Sequence, residues 1–479
     1  MKWMQRKIHV SWRIAGACAC FVVGVAVSQM LRAPPWLGFA AVPLLVGVLF
    51  LRQVWGLTIL GALAVGAGIS YGSLHLVGRD IYKYVYDTTS AVSGRVKEDI
   101  SKSASGTYSL QLDGVYIGGV TFPGTILVTS RVTAGALRGD TVYFEGRIGE
   151  GFASFPAVVS VLSIDRVERQ QFGDVGREIR DGFAEKVRVV IPEPQASLGI
   201  GFLTGQKSAL PVDLADALKI AGLTHIVVAS GYNLTILVRV ARKLLLRVSK
   251  YLSAVSAGIM ILGFMMITGL SPSMTRAGLV SGMSLLSGYY GHAFHPLVLL
   301  PIAAAITVAF QPSYVWGDLG WQLSFVAFAG VMIVAPLLHA YFFGAKEPSI
   351  MRQLLGETIA AHLVTIPIIA LGFGTISNVA IIANLLVVPL VPLAMLLTFG
   401  CGIGVLFGVP LIEWVAMLTS WLLGYMTNVA YFVADIPWAQ SEILTERWFW
   451  LMYVCILGGA CVWMWRKSNY NFRQSQIIV

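Results

Sequence analysis

Residues 54–77 read VWGLTILGALAVGAGISYGSLHLV, and residues 78–99 read GRDIYKYVYDTTSAVSGRVKED. The first stretch carries no charge and is long enough to cross a hydrocarbon core that needs about 20 apolar residues. The second is charged, rich in β-branched and aromatic residues, and broken by Gly. The junction predicts a membrane-spanning helix that delivers the chain into a β-rich domain outside the lipid. Composition agrees. The chain has 479 residues, 56% of them hydrophobic and 12% charged, with a mean hydropathy of +0.75; soluble chains carry about 25% charged residues. These values exclude a soluble enzyme, a disordered chain and a disulfide scaffold, and indicate a polytopic membrane protein. The five cysteines, Cys18, Cys20, Cys401, Cys455 and Cys461, all fall in apolar runs, with no CxxC pair.

Upstream, 14–31 and 36–51 are further candidate spans. The basic start (Lys2, Arg6, Lys7, Arg13) resembles a signal peptide, but no A-x-A cleavage pattern follows, so all three spans are expected to be retained. Downstream, 79–169 holds ten basic and ten acidic side chains and nothing long enough to span. Strand-like stretches at 89–96, 107–112, 115–120, 125–128, 141–148 and 158–167 are punctuated by Gly118-Gly119 and Pro123-Gly124. They predict a small β-barrel of OB-like size, with a small β-sandwich as the alternative. Residues 174–190 alternate charged and apolar residues at helical spacing and stop before Pro192, as an interfacial, barrel-packed or connecting helix would. Further spans are expected near 223–240, 251–270, 273–290, 295–310, 319–340, 357–373, 379–407, 411–434 and 446–465, about twelve in all, with 223–240 and 379–407 broken or re-entrant.

Charge sets the orientation. The basic start, Arg52, the loop of Arg239, Arg242, Lys243, Arg247 and Lys250, and the end with Arg466, Lys467 and Arg473 all fall on one side if both termini are cytoplasmic. Asp435, Glu442 and Glu446 then lie outside, as does the β domain. The expected organisation is three spans in 1–78, an extracytoplasmic β domain in 79–172, an amphipathic connector in 173–222, a membrane domain in 223–470 and a cytoplasmic tail in 471–479.

Polar groups inside apolar segments are the candidate functional residues, because lipid disfavours them. His225, Ser230 and Asn233 share one short run, where Ser230-Gly231 invites a helix break. Broken helices at membrane depth survive when buried in protein or facing a wet cavity; a polar packing seam of small residues is the alternative. Arg276 follows Ser271-Pro272, which can start a helix with Ser271 as its cap. It is either a snorkelling anchor or a cation set for an anionic substrate. Asp318 can cap a helix that buries Gln322 and Ser324. His362 and Asn384 lie in a stretch interrupted by Pro367, Gly372, Gly374 and Pro389. In the β domain, Arg95, Lys97 and Lys102, with Tyr108 nearby, form a local patch that could contact DNA. No catalytic constellation emerges: His225 and Ser230 share no helical face, there is no HExxH, and the window Gly199–Lys207 is not a P-loop. No catalytic residue, cofactor or metal site is expected.

These motifs resemble the ComEC-type competence DNA-uptake channel family. The family's GLxHLLAISGLH is similar to Gly222-Leu223-Thr224-His225 and Ser230-Gly231, after a loop matched by Leu203-Thr204-Gly205 and Ala209-Leu210-Pro211. Its PSxxRA is matched by Pro272, Ser273, Arg276 and Ala277. Its GFQLSFxAxxG is matched by Gly320, Gln322-Leu323-Ser324-Phe325, Ala327 and Gly330. Its FGxxS…ANLLxVPLV is matched by Phe373-Gly374, Ser377, Ala383-Asn384-Leu385-Leu386 and Val388-Pro389-Leu390-Val391. Two positions depart: Asn233 replaces the second His of SGLH, and His362 replaces the Gln of AAQLxTLP. Asn can hydrogen-bond but cannot carry charge, which disfavours a proton- or metal-linked role there. Many family members continue into a metallo-β-lactamase-like domain. This sequence stops at Val479, as a short-form member or a chain cut before that domain, so strand degradation would need another protein.

The resemblance implies an inner-membrane (plasma-membrane) channel that passes single-stranded DNA into the cytoplasm during natural transformation, with no enzymatic activity of its own. His225, Ser230, Asn233, Arg276, Gln322, Ser324, His362 and Asn384 are the expected polar lining. The implied partners are single-stranded DNA, a DNA-receptor protein outside, a cytoplasmic helicase, single-strand-binding proteins and a separate nuclease. The alternative is a small-molecule or lipid-linked transporter using the same broken helices, although no inverted repeat is visible.

Overall fold

The computed structural model describes residues 9–34, 54–102, 106–169, 174–206, 210–227, 231–245, 249–269, 271–289, 295–344, 348–443, 446–468 and 470. The expected span at 36–51, Ser230, Arg247 and the tail at 471–479 lie outside them. The chain divides into two compact units: Met1–Glu178 with Gly269–Ser284 and Val298–Asp318, and Ile179–Thr268 with Leu285–Leu297 and Leu319–Val479.

In the first unit, α1 (Val10–Val27) packs along α2 (Val54–Asp80). Gly24 and Gly68 sit at the crossing, and a Cβ on either would collide with the other helix's backbone. Small residues let spans approach this closely without a hydrophobic driving force. A 3-10 turn, Ile81–Tyr84, then hands the chain to the β domain, and fully buried Tyr82 packs 5.0 Å from the Phe122 ring.

The β domain is a closed five-stranded barrel. Its wall strands are β1 (Thr89–Val96), β3 (Tyr108–Ile117), β5 (Ile126–Val132), β6 (Thr141–Glu150) and β7 (Ala157–Ser163). They pair in the order β1-β3-β5-β7-β6, and β6 closes back on β1. All wall pairings are antiparallel except β5 with β7, as in the Greek-key OB barrel. Three short strands, β2 (Ser101–Lys102), β4 (Val120–Phe122) and β8 (Arg166–Glu168), extend the edges. Strict alternation builds the core: along β6, Val142, Phe144, Gly146 and Ile148 are inside, and Tyr143, Glu145 and Arg147 outside. Two expected strands, 107–112 and 115–120, are largely one, because β3 runs straight through Asp113-Gly114, where the β1 register shifts. The expected 158–167 strand breaks at Ile164-Asp165.

Four further helices belong wholly or partly to this unit or to its border. The helix α3 (Val175–Val190) follows the barrel, α9 (Pro272–Tyr289) starts in this unit, and α10 (Pro296–Phe310) and α11 (Tyr314–Gly317) complete it. Between α3 and α9 the chain forms α4 (Gln195–Thr204), α5 (Val212–Ile220), α6 (Thr224–Val227), α7 (Gly231–Leu245) and α8 (Lys250–Thr268). After α11 come α12 (Leu319–Phe343), α13 (Ile350–Phe373), the strand β9 (Thr375–Ser377), α14 (Ala380–Val387), α15 (Val391–Leu406), α16 (Ile412–Ala434), the strand β10 (Gln440–Glu442) and α17 (Arg447–Ser468).

The core of the second unit forms around α4. Its residues Ala196–Thr204 are all buried, and it packs against α15, α16 and α6. This short central helix was not expected from the sequence. The expected break in 379–407 is present: α14 ends in a 3-10 turn at Val388–Leu390 before α15, where Pro389 and Pro392 lack N–H donors. Among the described residues, seven helices are long and apolar enough to cross a membrane. Helix also occupies the other expected spans that fall in described residues; α10 is apolar but short, and in 223–240 the described helices are α6 and the start of α7.

Candidate functional site

In the second unit, the Gly222–Asn233 segment is held from both ends. Gly222 takes a left-handed φ of +72°, and a Cβ there would lie 2.7 Å from the Ala380 Cβ and 3.3 Å from the Ser377 Oγ. Only glycine lets this turn press against the start of α14. The Gly222 carbonyl accepts from the Nδ1 of His225 at 3.0 Å. Asn233, fully buried in the first turn of α7, donates through Nδ2 to the carbonyls of Phe202 (2.8 Å) and Ile226 (3.4 Å). Its amide thus seals backbone near the ends of α4 and α6, which apolar surroundings would leave costly.

His362, half-buried on α13, lies within electrostatic range of His225. One turn on, Pro367 has no N–H, so the carbonyl of Leu363 loses its helical partner. The Tyr453 hydroxyl on α17 donates to that carbonyl at 3.0 Å. Thr365 meanwhile donates to the carbonyls of Ala361 and His362. Near the start of α14, the buried Ser377 Oγ and Asn384 Oδ1 have no hydrogen-bond partner among the described residues. The adjacent Asn378 donates to Trp438 O (2.8 Å) and Ser441 Oγ (2.6 Å), fastening the α13–α14 connection to the α16–α17 connection beside the β9–β10 ladder. His362, Ser377 and Asn384 are therefore half-buried polar groups on apolar helices and their connections, His225 is exposed, and Asn233 is a sealing group of the buried core. Gln322 and Ser324 are half-buried in the first turns of α12.

In the first unit, Arg276 is 8% exposed and sits one turn into α9. Ser271 caps this helix as expected, its Oγ accepting from Met274 N at 3.4 Å. On the barrel, the four expected contact residues divide. Lys102 lies 5.5 Å from the centre of the Tyr108 ring, forming the one aromatic–cation pair among them. Lys97 donates to Thr125 Oγ1 (3.1 Å) and Arg95 to Gly139 O (3.2 Å), which turns part of their donor capacity inward.

OB barrels bind oligonucleotides on the face of their second and third strands and on the loops after the first and fourth. Here those are β3, β5 and the β1–β3 and β6–β7 loops. The β6–β7 loop is seated on the end of α2 and on α11 of the same unit. Arg79 donates to the carbonyls of Ala153 and Phe155, and Tyr86 to that of Pro156. Gly317 of α11 lies so close to Ser154 that a Cβ would come within 2.4 Å of its backbone. Burial, helped by the negative charges of Asp318, Glu98 and Asp113, pushes the Tyr314 phenol up to about 12.

A second anchor was invisible in the sequence. Arg138, in the β5–β6 loop, is 6% exposed and donates to Asp174 Oδ2 at 2.5 Å. The other oxygen of Asp174 caps α3 by accepting from Arg177 N at 3.0 Å. Burial alone would raise this carboxyl, but the bonds and charges of Arg138 and Arg177 outweigh it and hold Asp174 below the usual carboxylate range. Thirty-six residues separate the partners, so no local spacing signals the pair. Among the described residues, no group of three or more His, Cys, Asp or Glu could hold a metal ion.

Comparison with known proteins follows the same lines. The Competence protein family model matches residues 202–469. The chain is similar to ComE operon protein 3 of Bacillus subtilis (strain 168), at 24% identity over 248 residues, which is 50% of this chain and 31% of that protein. No solved structure matches. The family match takes in more than half of the sequence and contains the four sequence motifs around Gly222–Asn233, Pro272–Ala277, Gly320–Gly330 and Phe373–Val391, so this membrane protein belongs to the Competence protein family of ComEC type.

Proposed function

We propose that this chain acts in DNA uptake, passing one strand of incoming DNA across the cell membrane into the cytoplasm. The observation that carries this reading is the pairing of two parts in one chain. An OB-topology barrel has one of its oligonucleotide-type loops, β6–β7, seated on the end of the candidate span α2, and the helical part that follows matches the competence family. Single-stranded DNA needs a wet, cation-favouring path for its phosphates and stacking faces for its bases. This reading assigns that path to Arg276, buried one turn into α9, and to the polar set His225, Ser230, Asn233, Gln322, Ser324, His362 and Asn384. The Lys102–Tyr108 pair, with Arg95 and Lys97, supplies cations and a stacking face on the barrel. In this reading the divisions are those expected from the sequence: spans in 1–78, an outside barrel in 79–172, a connector in 173–222, a channel domain in 223–470 and a cytoplasmic tail, with both termini inside. The chain itself cuts no DNA. A receptor outside, a helicase and single-strand-binding proteins inside, and a separate nuclease complete the process.

The test is uptake of labelled duplex DNA in the native host, with the chain deleted and then restored as wild type or Arg276→Ala. The expected result is that deletion leaves DNA at the surface with no protected single strand inside, and only wild type restores import. Unchanged import in the deletion strain would refute the reading and bring the small-molecule transporter forward.

A further inference from the structure

Beneath the barrel, at the ends of α1 and α2, lies a cavity of about 340 Å³. Its polar lining includes Arg32, Arg79, Lys83, Asp80 and Glu150, three cations against two acids. The volume falls within the range of about 300–1,000 Å³ usual for small-ligand sites. Each oxygen of Asp80 takes one cation: Arg32 NH1 at 2.7 Å and Lys83 Nζ at 2.8 Å. Sharing a single carboxylate leaves both cations with N–H donors to spare, since ammonium has three and guanidinium five. Arg32 and Lys83 are also more than half exposed, so those donors are reachable.

The surroundings identify the ligand. Both helices are candidate spans, so this end is where hydrocarbon gives way to water. Strongly exposed apolar side chains interleave in sequence with the lining: Met30 and Leu31 before Arg32, Val77 before Arg79, and Ile81 and Tyr84 on either side of Lys83. A soluble anion would use the cations and gain nothing from these side chains. A ligand with an anionic head and apolar chains uses both. We propose that this cavity binds the headgroup of an anionic phospholipid, whose acyl chains lie along the exposed faces of α1 and α2. The bound lipid would tie the base of the barrel to the membrane surface. The assignment is independent of DNA uptake.

The purified full chain can be titrated with phosphatidylglycerol or phosphatidylcholine and read by native mass spectrometry. Retention should favour phosphatidylglycerol. Arg32→Gln and Lys83→Gln change exposed side chains, and each should weaken it about fivefold, the double variant about 25-fold. Asp80→Asn removes the competing carboxylate and should tighten binding, a gain that a misfolded variant cannot give. Equal retention of the two lipids, or wild-type retention in the double variant, would overturn the proposal. So would displacement of phosphatidylglycerol by glycerol phosphate at equal concentration, which would make the site one for free phosphate. Displacement by a short single-stranded oligonucleotide at equal concentration would make it a nucleic-acid contact and overturn it equally.

Discussion

Asp174 joins the barrel to the helix that leaves it, and its removal has a calculable cost. One oxygen accepts from Arg138, the other from the N–H of Arg177. Loss of the cap costs about 1 kcal/mol. Removing one partner of a fully buried ion pair costs roughly 3–5 kcal/mol. Here Arg138 is 6% exposed but Asp174 is 22% exposed. Water screens that side of the pair and lowers its share to about 2 kcal/mol. Asp174→Ala should therefore lose about 3 kcal/mol of local stability. Asp174→Asn, which keeps an oxygen for the cap, should lose about 2 kcal/mol. Hydrogen exchange of the intact protein reads this directly, because local opening sets the rate. Peptides covering 133–140 and 174–180 should exchange roughly 100-fold faster in Asp174→Ala, corrected for intrinsic rates. The pH dependence has a definite sign. The folded carboxyl lies below its unfolded value near 3.9, so its contribution is complete above about pH 4 and fades as pH falls through the folded value. Wild type should lose protection in that acid window while Asp174→Asn stays flat. Wild-type exchange in Asp174→Ala would refute the reasoning, since the contact would then restrain nothing.

Other expectations concern the helical core. Gly222→Ala must hold a left-handed backbone, at about 1 kcal/mol, and fit a methyl 2.7 Å from Ala380, at roughly 1–3 kcal/mol more. Its thermal midpoint in detergent should drop, and Ala380→Gly in the same chain should recover the steric part alone. Tyr453→Phe should cost about 0.6–1 kcal/mol by unmaking the bond to Leu363 O. In a Pro367→Ala background, where the helix regains its own donor, that cost should vanish; an unchanged cost in the thermal-midpoint cycle would sink the pairing. Asn233→Leu strands the carbonyls of Phe202 and Ile226 and should destabilise by about 1–3 kcal/mol, seen as a lower midpoint at unchanged helix content.

The spans and the barrel were legible because their signals are periodic and local. Uncharged runs such as 54–77 have one stable solution in lipid, and the alternation of 141–148 matches β6 residue for residue. Ser271 before Pro272 was legible as a helix start for the same reason. The longer β3 was harder to see, since Asp113-Gly114 reads locally as a turn, yet pairing with β1 on one side and β5 on the other keeps the strand extended. The burial of α4 was not legible at all. Its ten residues are too few to span and carry only Gln195 and small polar groups, so nothing local distinguishes a central helix from a connector.

The candidate site divides in the same way. His225, Asn233, His362 and Asn384 could be picked out individually, because a polar side chain in an apolar run is conspicuous wherever it falls. What each touches could not. The sealing role of Asn233 depends on a carbonyl 31 residues away, the relief of Pro367 on a tyrosine 90 residues from Leu363, and the hold on Asp174 on a loop arginine 36 residues upstream. The sequence by itself determined the solvent of the long uncharged runs and of the charged β segment, membrane or water, because transfer free energies add along a chain and need no fold to evaluate. Only the tertiary structure decided which polar groups meet, because a hydrogen bond acts over about 3 Å and its partner is chosen by packing, not by order in the chain.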